Sequence, residues 1–570
     1  MSIIGLKKAD CKNCYKCVKV CPVKSIRVEH TQAQIIEKEC ILCGRCLLEC
    51  PQNAKTFYSD IDRVKNFVQN GEKVIVSLAP SYVGSFDFES CDQLIGAILK
   101  LGVWGVSETA QGAALVSEEY YRLASEAKME NIITTCCPAV NDLVEKHFPG
   151  AVRYLAPVVS PMIAHGKVLK QTYGSQVKVV FVGPCFAKKG EATDIRHASY
   201  IDAVLTFDDL VEWMTDEGVK IRECSGGVFL NGDSKVTRLY PVASGVLKTI
   251  AAQGKVPYYN HICVDGIENC MELLKEIISG SIQHCIIEMS ACAGSCINGP
   301  AKAKHEKNRF RTKLELENSV KNTGMDFPSP QQRVPMGKRF FDRSSKEAIP
   351  DEATIRAILQ KVGKETPEQE LNCGLCGYES CRAKAVAVYQ GKAELTMCIP
   401  FMRSRAESLS NLVLAQTPNI TILVDRDLNI VEFNTAAERA FGISRTEALK
   451  KSLFELVDTS NFQTVLDTRQ SIYDKKVVYD EYHLVTVQNL IYIAEENLVM
   501  GIFNDITKEE KEKETRFKLQ AETLEMAQKV IDKQMMVAQQ IAGLLGETTA
   551  DTKVTLTKLK DMMASDGERS

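Results

Sequence analysis

The sequence predicts a multidomain α/β and α+β chain, and three observations carry that expectation. Its 570 residues suit three to five domains at roughly 100–200 residues each. Its 22 cysteines are unevenly placed: eight in residues 1–57, ten across 58–320, four in 371–400, and none from Ile399 to Ser570. Between the outer blocks, apolar runs such as Lys73–Leu78 and Val177–Val182 alternate with helical stretches. Gly183, Pro184, Gly226 and Gly227 punctuate them, as in an α/β domain.

Composition narrows the class. The chain is 45% hydrophobic and 25% charged, enough to build globular cores throughout. A net charge of −3 argues against a dedicated nucleic-acid binder. No apolar run reaches about 18 residues, so no membrane span is expected. Cys11 follows only ten residues, leaving no room for a signal peptide's apolar core. The expected compartment is a reducing cytoplasm, where thiolates bind metals rather than one another.

The first block is a duplicated run. Cys11-x2-Cys14-x2-Cys17-x3-Cys21-Pro22 recurs as Cys40-x2-Cys43-x2-Cys46-x3-Cys50-Pro51. Three thiolates at this spacing wrap one face of a cubane, and the fourth crosses to the other cluster in two-cluster ferredoxins. One 4Fe–4S cluster is expected on Cys11, Cys14, Cys17 and Cys50, the second on Cys40, Cys43, Cys46 and Cys21. Cys373-x2-Cys376-x4-Cys381-x16-Cys398, within NCGLCGYESC, is another cubane pattern. Four-cysteine zinc sites use similar spacings, so zinc stays open there. The run resembles a small helical 4Fe–4S module of anaerobic redox proteins.

Three central segments carry the remaining chemistry: Thr134–Pro138 (TTCCP), Gly183–Lys189 (GPCFAKK) and Glu288–Gly299 (EMSACAGSCING). Cys292 and Cys296 stand four apart, which on a helical turn would aim both thiolates one way. Lys188, three residues after Cys185, favours the thiolate and can donate to an anionic ligand. Cys136 and Cys137 are adjacent, so one can ligate while the other remains a free thiol able to carry a proton.

Together with the doubled ferredoxin run, these segments resemble FeFe hydrogenases over roughly residues 1–320. The resemblance implies an H-cluster: a 4Fe–4S cubane linked to a di-iron unit bearing carbon monoxide, cyanide and a bridging dithiolate. It implies that Cys137, Cys185, Cys292 and Cys296 ligate the cubane, with Cys296 as the bridge. Cys136 would deliver protons, Lys188 would hold one cyanide, and Ser81, in SLAPS, would contact the other. The chain also departs from the pattern: Val140 stands where Trp is usual, Gly183 and Ser290 where Met is typical, and Met162 where Gln is common. Glu119 aligns with one relay carboxylate, but the next two relay positions fall on Ala156 and Arg122, which cannot pass a proton as Ser and Glu do. The remaining cysteines, Cys91, Cys224, Cys263, Cys270 and Cys285, read as buried small hydrophobes, and His165 as structural.

The cysteine-free tail reads differently. Ile420–Val424, the turn Asp425–Asp427, Asn429–Asn434, a helix from Thr435 and a closing Gly501–Thr507 resemble a PAS sensor domain. The only histidine there is His483, a thin basis for haem. Beyond Thr507, Phe517, Ala521, Leu524, Ile531, Met535, Ala538, Ala542 and Leu545, with Gln528 in one seam position, follow a 4–3 spacing. That predicts a dimeric coiled coil.

The expected domains are therefore 1–57 (ferredoxin), 58–320 (hydrogenase-like), 321–363 (Pro-marked linker with a helix from Asp351), 364–405 (third cubane), 406–507 (PAS) and 508–570 (coiled coil). The expected function is slow reaction with H2 and protons. Three 4Fe–4S clusters would pass the signal to PAS and coiled coil, with ferredoxin or another redox carrier and a separate kinase or phosphatase as partners. A catalytic ferredoxin-linked hydrogenase is the alternative, and a cubane protein without di-iron a third reading.

Overall fold

The computed structural model describes residues 3–197, 199–232, 234–302, 308–321, 323–324, 333–345, 347–542 and 549–565. Pro328, Pro330 and the seam residue Leu545 lie outside them. The chain divides into two compact units, Met1–Met402 and Arg403–Ser570. Among the described residues no helix is long and apolar enough to cross a membrane.

At the start of the first unit, the duplicated sequence folds as a duplicated backbone. Ile4–Leu6 pairs antiparallel with Lys55–Phe57, and Ile26–Glu29 with Gln32–Ile35. Helices Lys16–Val20 and Arg45–Leu48 occupy equivalent places. Left-handed residues recur at the same interval: Asn13 and Leu42, Tyr15 and Gly44, Lys24 and Asn53. Such turns gather successive backbone N–H groups into a concavity that receives anionic clusters.

Two parallel sheets follow. One has strand order Gly105–Glu108, Val74–Leu78, Lys178–Gly183, Ala203–Thr206; the other Asn260–Asp265, Cys285–Ser290, Ile132–Ile133. Val74–Leu78 and Cys285–Ser290 are buried along their whole length. Val74–Leu78 therefore reads as a nearly continuous apolar run rather than an alternating one, while Cys285–Ser290 carries a buried Glu288. His165, on helix Pro161–Tyr173, reaches Ser77 Oγ at 2.7 Å through Nδ1 and Ser107 Oγ at 2.9 Å through Nε2. It is a structural histidine.

The expected linker is bound to this α/β domain. Val159 N–H donates to Met336 O at 2.9 Å and Lys338 N–H to Pro157 O at 3.0 Å. Arg343 pairs with Glu145 at 3.2 Å. Asp351 then caps helix Glu352–Gln360 by accepting from Thr354 N–H at 2.8 Å, and Gly363, at φ +69°, ends that turn. The third cysteine module, with helix Cys381–Tyr389, lies against the ferredoxin segment, where Val28 N–H donates to Lys392 O at 2.9 Å. Cys398 directly precedes helix Ile399–Gln416, and Met402 N–H donates to its carbonyl at 2.9 Å.

The second unit holds an antiparallel sheet with strand order Ile430–Phe433, Ile420–Val424, Leu498–Asp505, Leu484–Ile493, Ile472–Tyr479. Phe433, Phe462, Leu490 and Phe503 fill its core. Asn434 caps helix Thr435–Phe441 through Ala437 N–H at 2.9 Å. Beyond the sheet, helix Thr507–Ala542 packs against helix Thr549–Ser565. The predicted seam is half-buried at Leu524, Gln528, Ile531, Met535 and Ala538, whereas Phe517 and Ala521 are exposed. In the single chain, part of the seam is thus covered from within.

Candidate metal centre

All four chemistry-bearing segments of the α/β domain leave the C-terminal ends of parallel strands, where such sheets bind ligands. Ala79-Pro80-Ser81 follows Val74–Leu78, Pro184-Cys185 follows Lys178–Gly183, Thr134–Cys137 follows Ile132–Ile133, and Ala291-Cys292 follows Cys285–Ser290. Cys137 is the N-cap of helix Pro138–His147, and Cys185 precedes helix Ala187–Ala192. The Cys292-to-Cys296 link is not the expected helical turn. Gly294 (φ +85°) and Ser295 (φ +60°) are left-handed, and Cys296 opens the 3-10 turn Cys296–Asn298. The bend still brings Cys292 and Cys296 into electrostatic range of Cys137 and Cys185. Burial pushes the Cys185 thiol up to about 11, so a bound metal would have to displace that proton.

Beside these cysteines lies a cavity of about 100 Å³ whose wall includes Ser81, Cys136, Met162, Lys188, Tyr240 and Cys296. Ser81 is buried and its hydroxyl has no hydrogen-bond partner among the described residues. An orphaned buried hydroxyl is costly, about 1–3 kcal/mol, unless a ligand accepts from it. In the wall of the same cavity, Lys188 Nζ donates to Glu191 Oε2 at 2.8 Å and to the Cys136 carbonyl at 3.2 Å. Among the described residues, two of its three N–H groups are used, leaving one for an anion. Burial opposes the charge on Glu191, yet Lys188 and Lys338 outweigh it and hold that carboxyl below its ordinary range. Lys188 is raised in turn, with Glu191 overcoming its own burial. Ser160 Oγ donates to the same carboxylate at 2.9 Å. The donor set fits a small di-iron group carrying two anionic diatomic ligands.

Cys136 Sγ stands 3.3 Å from the Tyr120 hydroxyl. Burial pushes its thiol up to about 12, against the pull of Tyr120 and Lys188. Tyr120 continues to Thr135 Oγ1 at 3.2 Å, and Thr135 ends on the carbonyls of Val158 (2.8 Å) and Ala156 (3.2 Å). Glu119, the expected relay carboxylate, forms an ion pair with Arg122 at 2.6 Å on the outer face of helix Ala110–Glu126. One residue along a helix is about 100° of rotation, which is why Tyr120 rather than Glu119 meets the thiol. The reading of the sequence also missed Glu191, three residues beyond Lys188, and Glu288. Glu288 is buried, accepts from Leu247 N–H at 3.0 Å, and is pushed by burial up to about 7. Of the five cysteines expected as buried hydrophobes, Cys224, Cys270 and Cys285 are buried and Cys91 is half-buried. Cys263 is exposed, because it lies on the edge strand of its sheet.

In the ferredoxin segment, Cys21 lies in electrostatic range of Cys40, Cys43 and Cys46, while Cys17 is grouped with Cys11 and Cys14. Cys50 Sγ accepts from Ala54 N–H at 3.3 Å. Cys373, Cys376, Cys381 and Cys398 line one small cavity with Lys384. Among the described residues, no three His, Cys, Asp or Glu side chains converge as around a single ion.

A family described as "iron only hydrogenase large subunit, C-terminal domain" matches residues 72–300. The α/β domain thus carries the domain that this family describes. It is preceded by a match to a 4Fe-4S dicluster domain (3–51) and followed by matches to a putative Fe-S cluster segment (369–400) and a PAS fold (410–506). Iron hydrogenase 1 of Clostridium pasteurianum is 25% identical over 378 residues, 48% of this chain and 64% of that protein's length. A cytosolic Fe-S cluster assembly factor of Xenopus tropicalis is 21% identical, covering 55% of this chain and 80% of its own. The solved FeFe-hydrogenase of Chlamydomonas reinhardtii superposes at TM-score 0.40 and 16% identity, covering 50% of this chain and all of the other.

Proposed function

We propose that this protein reacts slowly with H2 (H2 = 2 H⁺ + 2 e⁻) and reports its redox state, rather than turning H2 over as a fast catalyst. The surroundings of Cys136 carry this reading. Its thiol meets a tyrosine hydroxyl, and the next group ends on backbone carbonyls, which accept protons' hydrogen bonds but pass nothing on. In this reading Cys137, Cys185, Cys292 and Cys296 hold the cubane of an H-cluster, with Cys296 as bridge. When bound, that group supplies the metal chemistry that splits H–H. Ser81 and Lys188, which both line the cavity, would orient its anionic ligands, and Cys136 holds a proton at Sγ. Glu191 keeps the Lys188 ammonium charged and aimed. The ferredoxin cysteines and Cys373–Cys398 carry three further cubanes, which lead electrons toward the PAS fold and the paired helices. The output is a separate kinase or phosphatase, on a chain that acts as a homodimer; ferredoxin or a similar carrier exchanges electrons with it.

The likeness to a cytosolic Fe–S assembly factor favours a second reading, cubanes with no di-iron unit. Infrared spectra of matured protein separate the two: carbonyl and cyanide stretches are expected, and their absence leaves the second. Dye-linked turnover tests the rest. Slow turnover is expected in the parent, and Tyr120→Glu should raise it tenfold or more, toward the roughly 10²–10⁴-fold of a positioned acid–base group. A parent already as fast as a catalytic hydrogenase sinks the sensor reading.

A further inference from the structure

The third cysteine module and the ferredoxin segment share one apolar core, in which Tyr378, Ala387, Ala393 and Met397 pack with Val18, Ile26 and Val28. Polar contacts lock the joint. Lys24 Nζ donates to Gly377 O at 2.9 Å, Val18 O at 3.1 Å and Lys19 O at 3.2 Å, which uses all three of its N–H groups. Lys392 pairs with Glu39 at 2.7 Å. Gly377, at φ +89°, approaches so closely that a Cβ would stand 2.9 Å from Lys19 N.

Tyr378 sits at the middle of this joint. It is 4% exposed, and its hydroxyl has no hydrogen-bond partner among the described residues. Cys21 belongs to the same packed core and Cys376 packs against it, and the hydroxyl lies in electrostatic range of both. Cys21 belongs with Cys40, Cys43 and Cys46. That group in turn reaches the hydrogenase domain: a Cβ on Gly44 would stand 2.5 Å from the ring of Phe186, neighbour of Cys185, and Cys43 lies in electrostatic range of Cys292.

We propose that Tyr378 is a positioning residue that donates its hydroxyl hydrogen bond to a sulfur of the cluster on Cys21, Cys40, Cys43 and Cys46, making that cluster the junction between the hydrogenase domain and the third cubane. The proposal rests on the cubane readings above. An electron leaving the hydrogenase domain reduces the junction cluster, and the junction is reoxidised as the third cubane takes that electron. The cluster on Cys11, Cys14, Cys17 and Cys50 is a side branch, open to an external carrier through the exposed Cys14. A hydrogen bond to cluster sulfur stabilises the reduced, more negative form and raises its potential.

The test is an EPR-monitored redox titration of the full, cluster-loaded chain. Tyr378→Phe keeps the ring and removes only the hydroxyl. One midpoint potential should move negative while the others stay, and the third cubane should be reduced more slowly. Unmoved potentials overturn the proposal. Gly377→Ala should weaken the magnetic interaction between the two cubanes, and an unchanged interaction counts equally against it. Iron and sulfide analysis of Cys381→Ser tests the underlying reading separately. Loss of one cubane's iron is expected; no loss overturns the third cluster itself rather than the coupling.

Discussion

His165 shows how one side chain adds acid sensitivity to the α/β domain. Burial holds its imidazole neutral, with a pKa lowered from 6.5 to about 3, between the hydroxyls of Ser77 and Ser107. Unfolding releases a histidine that protonates near 6.5. Its stabilisation is therefore present above that value and lost as pH falls toward 3. His165→Gln should be destabilised at pH 7, and the gap to the parent should narrow by about 3 kcal/mol on going to pH 4. Denaturant titrations at the two pH values read it; a gap that stays constant contradicts the assignment. Tyr120 makes the complementary point. Periodicity identifies a helix through Glu119, Tyr120 and Arg122, but which of them faces Cys136 depends on a segment brought in from the far end of another strand. Spacing along the helix could therefore not show that Tyr120, and not Glu119, stands beside that thiol.

At the scale of elements, legibility followed locality. The ferredoxin runs were readable because ligand spacing belongs to the segment itself, and the PAS strands because the resemblance lies in short opening and closing segments. Gly294 and Ser295 were not, because a four-residue gap fits a helical turn and a left-handed bend equally well. Glu191 was hidden too, since its role depends on Lys338, which arrives from the stretch expected to be a linker. Gly44 is where two elements meet at their closest. Its φ of +79° and the 2.5 Å to Phe186 leave no place for a methyl group. Gly44→Ala should cost about 2–4 kcal/mol from backbone strain and overpacking together. The expected sign is earlier loss of the iron–sulfur visible absorbance in denaturant; an unchanged midpoint would mean the two loops do not touch this closely.

For the molecule as a whole, the covered seam decides what the C-terminal helices do. A stripe at Leu524, Ile531, Met535 and Ala538 can be buried by Thr549–Ser565 of the same chain or by a second copy, but one face serves one partner at a time. Removing residues 549–570 should uncover the stripe and strengthen dimerisation, read by light scattering across a concentration series. A truncated chain that stays monomeric at high concentration would mean the stripe is too short to pair.

Cys398 both closes the third cysteine run and stands directly before helix Ile399–Gln416. On the cubane reading, each arriving electron adds negative charge beside the electropositive end of that helix, where a charge is worth about 0.3–1 kcal/mol. The message leaving the metal sites is then neither a ligand nor a hinge. It is a voltage written onto the first turn of a helix, and because Cys398 is buried, salt shields it less than it would an exposed charge.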